Sequence, residues 1–233
     1  CVEVGWLCCF FRQRTADGMW RGCGGSEMCI RNSIKNWTRQ NLRAWMAEKS
    51  IKHSKVQEFR ADQIFYWLYQ KKAESFSEMH NIGRETRKIM EDNFCISSLE
   101  KAETQESQDG SIKYRLLLDD GLSIESVFMP HTSHNTVCVS SQVGCGMGCD
   151  FCMTGTMGLV RNLKTAEIID QVLTVWKDQP EGKNIRNIVF MGMGEPFHNY
   201  QNLMQVLEIL TDEHGFNFSL RRLTVSTSGL LPK

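Results

Sequence analysis

The chain has 233 residues, 41% of them apolar, with 27 Lys plus Arg balanced by 27 Asp plus Glu. That length suits one large domain or two small ones with a sizeable core. The zero net charge excludes a globally basic field, while leaving room for a local basic patch. No apolar run reaches the roughly 18–20 residues of a membrane span, and no charged n-region leads into a clean apolar core as a secretory signal would.

The ten cysteines are unevenly spread. Cys1, Cys8, Cys9, Cys23 and Cys29 crowd the start, Cys95 and Cys138 stand apart, and Cys145, Cys149 and Cys152 form a tight group. In a signal-free chain such a group reads as metal binding in a reducing compartment rather than as a disulfide framework. Residues 1–33 show no useful periodicity and stay unassigned, as a disordered leader or sequence from outside the true reading frame. Arg12, Arg14 and Arg21 come with too little Ser for a transit peptide. Both ends of the chain look cut, since it starts without Met and stops at Leu-Pro-Lys just past a predicted strand.

From residue 34 to about 100 the pattern is helical. Trp37, Leu42 and Trp45 mark a first helix ending near Lys49. A second runs from Ala61 to Lys72, with Ile64, Phe65, Trp67 and Leu68 as its apolar stripe. More helix lies between Ser77 and Asn93, broken at Ile82-Gly83. The stretch from Lys35 to Arg60 is locally basic and reads equally as a solvated helix face or an RNA contact. Gln105 to Gly110 is polar and reads as a loop. Ile112–Leu118 and Leu122–Met129 form a predicted hairpin around Asp119-Asp120-Gly121, spanning residues 101–131 with its approaches.

Residues 132–233 alternate between strand and helix. Strands are predicted at Thr136–Ser141, Ile185–Met191 and Arg222–Thr227. The helices between them run from Thr165 to about Lys177 and from Tyr200 to Thr211. Such alternation specifies βαβ units and a parallel sheet.

The chemistry concentrates in two places. Gly144-Cys145-Gly146-Met147-Gly148-Cys149-Asp150-Phe151-Cys152 has C-x3-C-x2-C spacing on a loop leaving a strand. Three close thiolates can hold three irons of a 4Fe–4S cube and leave the fourth open to chelate amino and carboxylate groups. A zinc site, helped by His131 and His134, is the alternative, although zinc favours paired C-x2-C units. One βα unit later, Gly192-Met193-Gly194-Glu195-Pro196 closes an apolar strand, where Glu195 can take an ammonium group and Gly194 allows close approach. Alone, this would read as a Gly-rich turn with a surface carboxylate.

Together the two motifs resemble the signature of radical S-adenosylmethionine (SAM) enzymes. The runs Cys138–Cys145, Phe59-Arg60-Ala61-Asp62-Gln63-Ile64, Arg161-Asn162-Leu163 and Arg221–Gly229 narrow the resemblance to the RlmN family, over about residues 36–233. Pro196 favours RlmN over the carbon-8 methylating Cfr relatives, whereas Thr154-Gly155 and Gly158-Leu159 look more Cfr-like. The resemblance implies an α/β fold, an incomplete radical SAM partial barrel preceded by a helical RNA-binding domain and a hairpin. It implies methylation of adenine carbon 2 in 23S rRNA and tRNA. A 4Fe–4S cluster on Cys145, Cys149 and Cys152 and SAM contacted by Gly194, Glu195 and Ser226 would serve that reaction.

In the same resemblance, Cys138 resolves a covalent protein–RNA adduct and Glu125 accepts the adenine proton. Read from residues alone, Cys138 is a small buried hydrophobe, Glu125 a solvated strand carboxylate and Ser226 a turn residue. A flavodoxin-type reductant, a monomeric state and a cytoplasmic location follow from the family as well. The family's methyl-carrying cysteine would lie beyond Lys233, so the chain is expected to be inactive as it stands. Two further readings compete: a radical SAM enzyme acting on a peptide or small molecule, and a zinc-stabilised RNA-binding module.

Overall fold

A computed structural model describes residues 32–49, 54–180 and 184–230, with the backbone alone for 54–58. The unassigned leader through residue 31, with its five cysteines, lies outside the described residues. So do the last three residues.

The helical module opens with β1 (Asn32–Ser33) and α1 (Arg39–Glu48). The Thr38 hydroxyl caps α1 by accepting the Asn41 N–H, and Leu42 and Met46, four apart, form its buried stripe. The second helix, α2, spans Ser54–Phe65, beginning seven residues before the predicted start. It then widens into a π-helical turn at Tyr66–Gln70. Ala61, Ile64, Phe65 and Leu68 are buried, so the predicted stripe is core, with Trp67 packed half-buried against it. Gly83 precedes α3 (Arg84–Asn93), and β2 (Phe94–Cys95) pairs in parallel with β1 to close the module. Trp37 and Trp45 meet Phe94 edge-on at 5.4 and 4.7 Å.

Next come β3 (Glu100–Glu106), β4 (Ile112–Leu117), β5 (Ser123–Met129) and β6 (Asn135–Cys138). The predicted hairpin is β4–β5, turning at Gly121 with φ +79°. The loop expected from Gln105 is a strand as far as Glu106. As an edge strand, β3 buries neither face, so its sequence carries no apolar alternation to reveal it. A separate ribbon follows: β7 (Gln142–Cys145) and β8 (Gly158–Asn162), joined through the short helix α4 (Met153–Thr156).

After the ribbon the chain alternates: α5 (Thr165–Asp178), β9 (Ile185–Phe190), α6 (Tyr200–Thr211) and β10 (Leu223–Val225). Helix α5 is capped from Lys164, whose N–H is taken by Glu167 at 2.7 Å. Thr165 is therefore its first helical residue, as the sequence predicts.

Six strands make one sheet in the order β10-β9-β6-β5-β4-β3. β6, β9 and β10 are parallel, as the βαβ pattern requires, while β3 to β6 form an antiparallel meander. The expected boundary at 131/132 thus falls between two hydrogen-bonded strands of a single sheet. One face buries Tyr114, Leu116, Ile124, Phe128, Val137 and Ile188 in a core shared with Ile168, Ile169 and Val172 of α5 and Leu203 and Val206 of α6. The opposite face is more open and carries Lys113, Arg115, Glu125, Val127 and Val189.

The helical module docks on α5 and α6 through charged groups. Lys35 Nζ donates to Asp170 Oδ1 at 2.5 Å with both side chains buried, and Ser97 Oγ donates to Asp170 Oδ2. Arg39 bridges Asp62 of α2 and Asp212 at the end of α6. No helix among the described residues is long and apolar enough to cross a membrane.

Candidate functional site

The carboxyl ends of the parallel strands β6, β9 and β10 lie side by side, the usual location of a site in such a sheet. Cys138 is the last residue of β6, the Gly192–Pro196 loop follows β9, and Ser226 follows β10.

Cys145 ends β7 and is buried, whereas Cys149 and Cys152 sit half-buried on the loop between β7 and β8. The Cys152 N–H donates to the Cys149 carbonyl at 3.0 Å. Gly144 (φ +73°) and Gly148 (φ +63°) let the chain turn where a side chain would be strained. A Cβ at Gly144 would lie 1.9 Å from the Gly158 carbonyl oxygen. All three thiols are free. Among the described residues no three His, Cys, Asp or Glu side chains converge as ligands of a single ion. His131 and His134 stack at 4.5 Å beside the opposite end of β6, away from the thiol loop. Three free thiols at C-x3-C-x2-C spacing are a donor set that suits a 4Fe–4S cluster with one open iron.

The Gly192–Pro196 loop wraps against the chain leaving β6. The Gly192 N–H donates to the Val139 carbonyl at 3.1 Å, and a Cβ there would come within 2.8 Å of Ser140 Oγ. Glu195 is buried, and its carboxylate accepts from the Phe197 N–H and from both the N–H and hydroxyl of Ser228. Burial raises its pKa, but those hydrogen bonds win and hold it below the ordinary carboxylate value. The charge that an ammonium ligand needs is therefore present at neutral pH. Phe197, Ser228 and Thr227 all donate to it, so protein donors fill most of its roughly four acceptor positions. Ser226 is exposed, one residue beyond β10.

Cys138 pairs with Val127 across β5–β6, and Glu125 lies two residues before Val127 on the same face. The two side chains are diagonal neighbours, whose Cα atoms stand about 7–8 Å apart in an antiparallel pair. Glu125 keeps about a quarter of its side-chain surface exposed and has Lys113 Nζ at 3.6 Å. Cys138 is 5% exposed. Burial pushes its thiol up to about 11, outweighing a hydrogen bond from the backbone of Met191. Alkylation of Cys138 followed by mass spectrometry is therefore expected to quicken about tenfold per pH unit above neutrality and to level near pH 11. A plateau near pH 8–9, the range of a free thiol, would show that burial does not control this group.

Several residues at this site escaped the reading of the sequence. Gln171 of α5, fully buried, takes the Ser140 N–H on Oε1 at 2.8 Å and donates Nε2 to the Ser140 carbonyl at 3.0 Å. Ser140 Oγ donates to the Glu125 carbonyl at 2.6 Å and accepts the Met193 N–H at 2.9 Å. Ser228 and Gln142 hold Glu195. A polar residue inside an apolar helix face, such as Gln171 between Ile169 and Val172, was the available signal.

Two family models match the chain. The ribosomal RNA large subunit methyltransferase N-terminal domain matches residues 33–96, and the radical SAM superfamily matches residues 139–233. The chain belongs to the RlmN family of radical SAM proteins. It is 49% identical over 200 residues to a dual-specificity RNA methyltransferase RlmN of Geotalea uraniireducens, covering 86% of this chain and 56% of the relative. A second, from Geobacter sulfurreducens, is 51% identical over 175 residues, covering 75% of this chain and 48% of the relative. The crystal structure of a radical SAM methyltransferase from Sphaerobacter thermophilus superposes with a TM-score of 0.77 at 38% identity, over 85% of this chain and 57% of that one. The chain spans about half the length of these relatives. The likeness confirms the α/β radical SAM fold and membership of an enzyme family that uses a 4Fe–4S cluster and SAM.

Proposed function

We propose that this RlmN-family chain carries the cluster and SAM half of a methyltransferase acting on adenine carbon 2 in 23S rRNA and tRNA. The observation that supports this most is the joint placement of the three-thiol loop, the Gly192–Pro196 loop and the Cys138–Glu125 face at one end of the sheet. Cys145, Cys149 and Cys152 hold the cluster, while Gly194, Glu195 and Ser226 face SAM. Bound together, cluster and SAM supply the radical chemistry that an unactivated aromatic position requires.

The remaining work falls to the chain's own groups. Cys138 stays a protonated thiol at neutral pH, shielded from solvent until it is used. Glu125, a quarter exposed on the same open face, is placed to take a proton from a base splayed into that face. Lys113 Nζ stands 3.6 Å from the Glu125 carboxylate. The helical module, residues 34–100, contacts the RNA, in keeping with its match to an rRNA methyltransferase domain. A flavodoxin-type reductant, a monomeric state and a cytoplasmic location complete the reading.

Anaerobic reconstitution with iron and sulfide is expected to give a brown protein whose reduced-cluster EPR signal shifts on adding SAM. Changing any one of Cys145, Cys149 or Cys152 to Ser should remove most of the iron. A colourless protein that retains zinc would sink this reading and leave the zinc module.

A further inference from the structure

The ribbon that carries the thiols is not a strand of the main sheet. Among the described residues β7 and β8 pair only with each other, so no strand ladder there sets their distance from β9 and the loop that follows it. The main-chain ties across that gap are few: the Ser141 and Gln142 N–H groups both donate to the Met193 carbonyl, at 2.8 and 3.1 Å. Gln142 adds side-chain ties in two directions. Its Oε1 accepts the Glu195 N–H at 2.8 Å, and its Nε2 donates to Asn162 Oδ1 on β8 at 2.7 Å. Its stem also occupies the space beside Gly194 (φ +100°), where a Cβ would come within 2.5 Å of Gln142 Cβ. The side chain is wholly buried, and both of its polar atoms are used.

Gln142 therefore touches three parts of the site. It stands three residues before Cys145, it is bonded to the strand after the thiol loop, and it holds the backbone of Glu195. A ligand gripped at one end by an iron on the thiol loop and at the other by the Gly194–Glu195 loop fits only if those loops keep a fixed separation. Errors near 1 Å are costly in such arrangements. A hydrophobe of the same size would fill the space but leave the buried Glu195 N–H without an acceptor.

We infer that Gln142 is a positioning residue for SAM, setting the spacing between the cluster ribbon and the Gly192–Pro196 loop. The inference rests on the proposed cluster and SAM sites. It concerns ligand binding and not cluster assembly, because the Gln142 side chain bonds to Glu195 and Asn162 and to none of the three thiols.

The test compares the reconstituted wild-type chain with Gln142→Leu and Gln142→Glu. Iron and sulfide are counted per chain, and SAM is titrated against the EPR signal of the reduced cluster. In its protonated form the Gln142→Glu side chain keeps one acceptor and one donor at the original length. The expected result is full iron content in all three proteins and SAM binding at least tenfold weaker in Gln142→Leu. Its SAM-bound signal should also broaden, and Gln142→Glu should restore most of the affinity. Wild-type SAM affinity in Gln142→Leu would overturn the inference. So would loss of iron in step with loss of SAM binding, which would make Gln142 a scaffold of the ribbon alone. A wild-type cluster that forms but ignores SAM, or no cluster at all, would instead bring down the proposed function and the inference with it.

Discussion

Asp170→Ala is expected to destabilise the protein by about 3–5 kcal/mol, because it strands a buried ammonium. Lys35 and Asp170 expose only 4% and 2% of their side chains, and the Lys35 ammonium otherwise donates to the Ser97 carbonyl at 2.6 Å. Burial pushes the Asp170 carboxyl up, against the pull of Lys35 and of the Ser97 hydroxyl, so the pair is held in tension between desolvation and attraction. At about 2–4 °C per kcal/mol for a chain of this size, the melting temperature should fall by roughly 6–20 °C. The double change Lys35→Met with Asp170→Leu should recover most of that loss, since an apolar pair needs no desolvation. If the single change alters stability by less than about 1 kcal/mol, the ion pair is not what joins the helical module to α5.

The second large effect is expected at Gly144. An added methyl would sit 1.9 Å from the Gly158 carbonyl oxygen, a backbone atom that no rotamer change can move aside. The residue also has φ +73°, where a side chain adds roughly 1–2 kcal/mol of strain. Gly144→Ala should therefore prise β7 from β8 beside Cys145 and displace the first thiol. The prediction is a chain that keeps its far-UV circular dichroism, because the main sheet does not include this ribbon, but takes up less than half the wild-type iron on reconstitution. Gly148→Ala provides the contrast: it shares the positive φ, at +63°, but its Cβ meets nothing within 4 Å. Only the strain remains there, and iron uptake should stay near normal. Equal iron loss in both variants would trace the effect to backbone conformation and not to the clash.

Much of this molecule could be read without coordinates, and the reasons differ by element. The helices α1, α5 and α6 and the β4–β5 hairpin declare themselves because each buries one face, leaving a period of 3.6 or 2 in the sequence. The thiol loop and the Gly192–Pro196 loop are equally visible, since their chemistry depends on spacing over a few residues. Strands β3 and β8 were invisible for the opposite reason. One is an edge strand and the other the exposed strand of a ribbon whose partner β7 is buried, so neither carries a buried face to impose alternation. The early start of α2 at Ser54 left no signal in the apolar stripe, and the π-helical turn at Tyr66–Gln70 changes the period near its end.

By itself, then, the sequence determined which residues could bind a cluster and where the parallel strands and their helices lie, because local spacing and one-sided burial are properties of neighbouring residues. Tertiary structure alone decided which distant residues share a face or a bond. It set Glu125 diagonal to Cys138, turned Ser228 onto Glu195, aimed Gln171 at the peptide of Ser140 and stretched Gln142 between the ribbon and the loop. Those placements depend on strand register and on how buried polar groups find partners across 30 or more residues, which no local pattern encodes.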